Sequence, residues 1–328
     1  MTTEQHTHSN YPLEDFQIAL LQHQSPKFSV TCQNQLSDEE LFSLRNQGLS
    51  QAEQAISNAA KAGAQIICLA ELFASHYFCQ ELDHRYFKLA ESLTGETISR
   101  MSQAARQSKV VLIVPFYEER APGVYHNSAA VIDTDGTIAG VQRKAHIPDD
   151  PQFQEKFYFT PADALADGGT YAPISTSIAR IGVLICWDQW YPEAARLCAL
   201  QGAEIIFYPT AIGWIQGETG DEAESYRQAW QTVQQGHAIA NGCYIAAANR
   251  CGYEPLDENR GITFFGSSFI SDPIGKKIAE ASIENTETIF ATCSRQKISA
   301  VRQTWPFLRD RRIDSYSGLD KRFITNNS

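Results

Sequence analysis

Short apolar runs of strand length constrain this sequence most. "FQIALLQ", "AQIICLAE", "VVLIV", "IGVLIC", "EIIFY" and "YIAAAN" recur along it, most of them separated by stretches long enough for a helix. Each run is too short to be a buried helix, and their repetition with helical segments between them points to a layered α/β protein. Phe16 to Gln22 reads as the first strand. A helix from Leu49 to Lys61 follows, with Leu49, Ala52, Ala55, Ile56, Ala59 and Ala60 on one face and Gly63 as its cap. Another helix opens at Thr94, with a capping arrangement of Thr94 and Thr97 around Gly95 and Glu96, and leads to the strand Val110 to Val114. Later helices are expected over Tyr191 to Gln201 and Asp221 to Asn241. Two hairpins interrupt the alternation: "NSAAVIDTDGTIAGVQRKAH", turning at Asp133 to Gly136, and "SSFISDPIGKKIAEA", turning at Asp272 to Gly275. Hairpins mixed with strand–helix units predict mixed sheets, in two strand layers flanked by helices.

The chain has 328 residues, a net charge of −11 and a pI near 5.2. No Lys/Arg block offers the phosphate contacts that nucleic-acid binding needs, whereas the acidic balance suits a cationic small molecule. No apolar run approaches the roughly 18 residues of a membrane span. "MTTEQHTHSNYPLED" has no basic and apolar regions of a secretory signal, so residues 1–14 read as a disordered lead to a single domain over 15–316, with 317–328 as a tail. Eight cysteines (32, 68, 79, 186, 198, 243, 251 and 293) lack zinc-ligand spacing, and several sit in apolar runs. Free thiols of that kind suit a reducing compartment, and the expected location is the cytoplasm.

Three strands finish on residues of catalytic type: Glu71 after "IICLA", Lys144 after "GVQR" and Cys186 after "IGVLI". A carboxylate to take the thiol proton, a thiolate to attack and an ammonium to offset an oxyanion together suit acyl transfer to a cysteine. Each also has an ordinary reading. A glutamate after a strand is commonly a loop acid, Lys144 beside Arg143 a surface charge, and Cys186 a core filler.

"ELF", "RKAHIPD", "CWDQWYPEAARLCALQGAEIIFYPTAIGW" and "GSSFISDPIGK" resemble the nitrilase superfamily of carbon–nitrogen hydrolases, over a match from about Phe16 to Tyr316. Within it, "ELFASHYFCQ", "HIPDDPQFQEKFYFTP" and "RQTWPFLRDRRIDSY" resemble the N-carbamoylputrescine amidase subfamily. The resemblance implies an αββα sandwich, a Glu–Lys–Cys triad at Glu71, Lys144 and Cys186, and a second glutamate at Glu155. It also implies homo-oligomers (dimers or larger) in which the C-terminal segment packs on a neighbour, and neither metal nor organic cofactor. The implied reaction takes N-carbamoylputrescine to putrescine, ammonia and carbon dioxide through a carbamoyl-thioester. Alternatives are another carbamoyl or amide substrate, such as N-carbamoyl-β-alanine, and a non-catalytic binding relative.

Around the triad, Trp187 and its N–H, Asp188, Tyr77 and His146 are candidates for shaping the pocket. Glu218, in the acidic loop "WIQGETGDEAESY", is a candidate for a substrate ammonium. Arg250 is expected to pair with a nearby carboxylate. Two stretches are long for the subfamily: residues 25–48 and "ADALADGGTYAPIS".

Overall fold

The computed structural model describes residues 14–27, 33–163 and 169–324. Its strands are β1 (Phe16–Gln22), β2 (Ile66–Leu69), β3 (Val111–Ala121), β4 (Val124–Ile132), β5 (Ile138–Arg143), β6 (Ile174–Ser175), β7 (Arg180–Val183) and β8 (Ile205–Pro209). They continue with β9 (Gly213–Ile215), β10 (Tyr244–Ala248), β11 (Cys251–Pro255), β12 (Gly261–Phe265), β13 (Phe269–Ser271), β14 (Lys277–Glu280) and β15 (Glu287–Cys293). The helices are α1 (Asp38–Lys61), α2 (Glu96–Ser108), α3 (Glu155–Tyr158), α4 (Pro192–Leu200), α5 (Gly220–Asn241) and α6 (Arg295–Thr304).

Two six-stranded mixed sheets result, ordered β15-β1-β2-β3-β4-β5 and β14-β13-β10-β8-β7-β6, with β11-β12-β9 as a small third sheet. Each large sheet has a parallel trio at its centre (β1, β2, β3 and β10, β8, β7) flanked by antiparallel strands. Side-chain alternation explains why the two sheets stack. Ile18, Leu20, Ile66, Cys68, Ile205 and Phe207 share one core, while their neighbours Ala19, Leu21, Ile67 and Leu69 pack toward α1 and α2. On the second sheet Ile206, Tyr208, Ile245 and Ala247 face Ala195, Cys198, Trp230 and Ala238 of α4 and α5. A period of two along strands apolar on both faces therefore yields four layers, αββα.

The first helix begins earlier than its apolar face suggests. A capping box, with Glu40 N–H on the Ser37 side chain and Ser37 N–H on the Glu40 carboxylate, starts α1 at Asp38, so much of the long 25–48 stretch is helix. Gly48 lies in this helix although glycine weakens one. A Cβ there would sit 2.9 Å from the Ala74 carbonyl oxygen, and the missing side chain lets α1 lie against the loop after β2. The second helix is capped by Gly95, not Thr94. The Glu91 carboxylate takes the Thr97 N–H at 2.7 Å in place of a capping side chain. Strand β3 runs on to Ala121 and forms a hairpin with β4, which the run ending at Val114 did not reveal. The expected disordered lead lies outside the described residues apart from Glu14, as do residues 164–168 of the second long stretch and 325–328 of the tail.

Candidate active site

The parallel strands point their C-terminal ends at one place, where loops from both sheets meet; the Glu71 N–H, beyond β2, donates to the Thr210 carbonyl beyond β8 at 3.3 Å. The chain turns sharply at two of these ends. Leu72, directly after Glu71, has φ 50°, and Cys186 has φ 45°. A left-handed non-glycine backbone costs on the order of 1–3 kcal/mol and persists only where surrounding structure enforces it. The β7 strand stops at Val183, earlier than its apolar run, and Cys186 opens a 3-10 turn, Cys186–Trp190.

Lys144 follows β5 and is fully buried. It is not a surface charge, unlike what the Arg143-Lys144 pair allows. Arg143 goes the other way, onto the buried Glu118 through two hydrogen bonds of 2.7 and 2.6 Å. The Lys144 ammonium donates to Glu71 Oε1 at 2.9 Å and to Glu155 Oε2 at 2.6 Å. An ammonium has three protons, so one donor remains for a substrate oxygen. Asn127 on β4 also donates to Glu71 Oε1, at 2.7 Å, while its carbonyl accepts the Lys144 N–H at 2.8 Å. Glu71 Oε2 is buried and accepts no hydrogen bond. The sequence reading missed Asn127; its one signal was its place in "NSAAVI", facing the end of the strand that delivers Lys144.

Burial shifts the ionisations here. It raises the Glu155 pKa to about 7, against the opposing pull of Lys144 and with added repulsion from Glu71. Burial also opposes the Lys144 ammonium, but Glu155, Glu71 and Cys186 outweigh it and hold its pKa above the ordinary lysine value. The Cys186 thiol, 5% exposed, is pushed well up by burial and then by Glu71, with Lys144 only partly offsetting. It therefore rests protonated, its Sγ 3.9 Å from the Ala211 carbonyl, and needs a base to become a nucleophile.

Asp188 does something the sequence reading did not assign to it. Its fully buried carboxylate accepts the N–H groups of His146 at 2.9 Å, Ile185 at 3.1 Å and Ala145 at 3.4 Å. It also binds His146 Nδ1 at 2.6 Å. One side chain thus ties the residue before Cys186 to the residues after Lys144. The His146 ring stacks on Tyr191, with centroids 3.6 Å apart and planes at 7°. Tyr77 is buried and donates its hydroxyl to Glu155 Oε1 at 2.7 Å. Trp187 is exposed beside Trp190 at the outer side of the cysteine turn. The Glu218 carboxylate accepts the Ile215 N–H at 2.9 Å and closes its own turn after β9. Arg250 pairs with Glu254 at 2.5 Å. Among the described residues no group of three His, Cys, Asp or Glu is placed to hold a metal ion.

The carbon-nitrogen hydrolase family model matches residues 18–303. N-carbamoylputrescine amidase of Arabidopsis thaliana is 45% identical over 272 residues, 82% of this chain and 88% of that protein. Citrullinase of Francisella tularensis is 41% identical over 278 residues, 84% and 94% of the two chains. A carbon-nitrogen hydrolase from Helicobacter pylori, 42% identical, superposes with a TM-score of 0.84 over 95% of this chain and all of its own. Saccharomyces cerevisiae Nit3, of the nitrilase superfamily, shares the fold at 22% identity and a TM-score of 0.73, over 92% of this chain and 99% of its own. A buried thiol, a lysine between two glutamates and an αββα frame lie within that shared span, and this chain belongs to the carbon-nitrogen hydrolase family.

Proposed function

We propose that this enzyme hydrolyses N-carbamoylputrescine through a carbamoyl-thioester on Cys186. The observation that carries the chemistry is the division of labour within Glu71. Oε1 is occupied by Lys144 and Asn127, and the buried Oε2 is left to accept a proton. In this reading Glu71 deprotonates Cys186, and the sulfur attacks the carbamoyl carbon of R–NH–CO–NH2. The remaining Lys144 proton stabilises the oxyanion, together with the Trp187 N–H in the first turn of the 3-10 helix, where no intrahelical acceptor exists. The C–N bond breaks as the leaving nitrogen takes the proton from Glu71. Water, deprotonated by Glu71, then breaks the thioester, the thiol recovers its proton, and the carbamic acid released splits its remaining C–N bond to give the second amine and carbon dioxide. The balance is R–NH–CO–NH2 + H2O → R–NH2 + NH3 + CO2. Glu155 orients Lys144 and the substrate amide.

The substrate assignment rests on the relatives. N-carbamoylputrescine amidases of four plants are 43–45% identical to this chain. The citrullinase at 41% favours a second reading, in which the same carbamoyl chemistry serves a substrate with an amino-acid end. Ammonia release from N-carbamoylputrescine, citrulline and N-carbamoyl-β-alanine, at matched concentrations, decides. We expect kcat/KM for N-carbamoylputrescine to exceed the others at least about 100-fold, since a charged end group that enters the site without a partner costs several kcal/mol. Faster turnover of citrulline would overturn the diamine reading and leave the mechanism standing.

The acting form is a homo-oligomer in this reading. Trp305, Phe307, Ile313, Tyr316 and Leu319, all beyond α6, are exposed on the single chain, a density of apolar side chains suited to a second copy. Light scattering should return a mass at least twice 36.6 kDa, and Ile313→Asp should lower it. A monomer at micromolar concentration would refute the assembly. No helix among the described residues is long and apolar enough to cross a membrane.

A further inference from the structure

One buried ion pair lies outside the chemistry just described and touches its supports. Arg250, between β10 and β11, is fully buried, and its Nη2 donates to Glu254 Oε1 at 2.5 Å, to the Ser75 carbonyl at 2.8 Å and to the Ser25 hydroxyl. Glu254, on β11, uses its other oxygen differently: Oε2 accepts the backbone N–H of Tyr77 at 2.7 Å. Its carbonyl accepts from the Gln80 side chain at 3.4 Å. The segment thus held, Tyr77 to Gln80, is the one on which Glu155 rests. The Tyr77 hydroxyl donates to Glu155 Oε1, and the Cys79 carbonyl accepts the Gln154 N–H at 2.7 Å.

We propose that Arg250 and Glu254 are a positioning pair for hydrolysis: they fix the Tyr77–Gln80 segment and, through it, hold Glu155 against Lys144. The inference rests on the reading of Cys186 as nucleophile and Lys144 as its electrostatic partner. Neither member of the pair touches the reacting atoms. A pair needed only to stabilise the fold would not require one glutamate oxygen to be committed to a backbone N–H of the loop that carries the Glu155 partner. Buried ion pairs contribute little net stability, which leaves placement as the pair's function.

The consequence is a change in how Glu155 ionises. The groups facing it are Lys144, Glu71, Tyr77 and Cys79, with Cys186 beyond Lys144. The Tyr77 hydroxyl favours its charged form, so releasing Tyr77 raises the pH at which Glu155 takes a proton and loosens Lys144.

The test uses full-length protein and two readouts over pH 5 to 9. One is turnover of N-carbamoylputrescine, and the other is the rate of Cys186 alkylation by iodoacetamide, followed by peptide mass spectrometry. Alkylation needs no knowledge of the natural substrate, so a wild type inactive on N-carbamoylputrescine would refute the substrate assignment while still testing the pair. The variants are Tyr77→Phe, Glu254→Gln, their double, and Arg250→Met with Glu254→Gln, which removes both charges so that neither is left unpaired. Glu254→Gln and the charge-free double should each slow alkylation about 10-fold at pH 7. They should also move its acidic limb to higher pH, as Tyr77→Phe does. Glu254→Gln combined with Tyr77→Phe should be no slower than the slower single variant, since both cut one connection. The proposal is overturned if the charge-free double, folded by its thermal melt, keeps the wild-type rate and pH profile. It is equally overturned if the effects of Tyr77→Phe and Glu254→Gln multiply.

Discussion

Cys186→Ala is expected to lower kcat by at least about 10⁴-fold, because a covalent path split into two easier steps collapses to direct attack by water. The rest of the site survives the change. Glu71, Lys144 and Glu155 keep their mutual hydrogen bonds, since none of these runs through the sulfur. The fold should survive too. The thiol makes one long contact, 3.9 Å to the Ala211 carbonyl, and loss of one buried sulfur costs about 1 kcal/mol on the scale of a deleted methyl group. The measurement is ammonia release alongside a thermal melt. Turnover within 10-fold of wild type would remove Cys186 from the chemistry. A lost melt would mean that the left-handed turn at φ 45° depends on the thiol.

Lys144→Met should be nearly as costly to catalysis, about 10³-fold in kcat, for the loss of one oxyanion donor and of the charge that orders the carboxylates. It should also destabilise the protein by about 3–5 kcal/mol near neutral pH, the usual result of stranding buried partners. The sign of the pH dependence is fixed. Without the ammonium, the ionised form of Glu155 loses its counter-charge, and its folded-state value, already raised to about 7, rises further above the unfolded glutamate value near 4.3. A group raised in the folded state gives its full stability below the unfolded value and loses it as pH rises. The variant should therefore melt closest to wild type around pH 4, and the gap should widen towards pH 8. A gap that is constant over this range would show that Lys144 does not hold the ionised form of Glu155 in the folded protein.

These results bear unequally on sequence and structure. The strand runs, the two hairpins, the helices over α4 and α5, and the four-layer expectation were legible because each rests on local periodicity and turn chemistry. A strand apolar on both faces declares itself wherever it falls. The start of α1 was written in Ser37 and Glu40, but the apolar face that announces a helix begins only later. The β3–β4 hairpin was hidden because β3 turns polar at the still-buried Glu118, leaves the core from Glu119, and is joined to β4 by the brief turn Pro122-Gly123.

By itself the sequence determined the residue types available for acyl transfer and the strand ends that present them. Those depend on chain order and side-chain chemistry alone. Tertiary structure alone decided which oxygen of Glu71 is free, that Lys144 is buried between two carboxylates, and that Asn127, Asp188, Tyr77 and Glu254 are their supports. Every one of those contacts joins residues separated by 11 to 177 positions in the chain. No local pattern encodes such a pairing. It exists only once the two sheets have stacked, excluded water, and left each buried charge to be satisfied by whatever donor or acceptor the fold brings within reach.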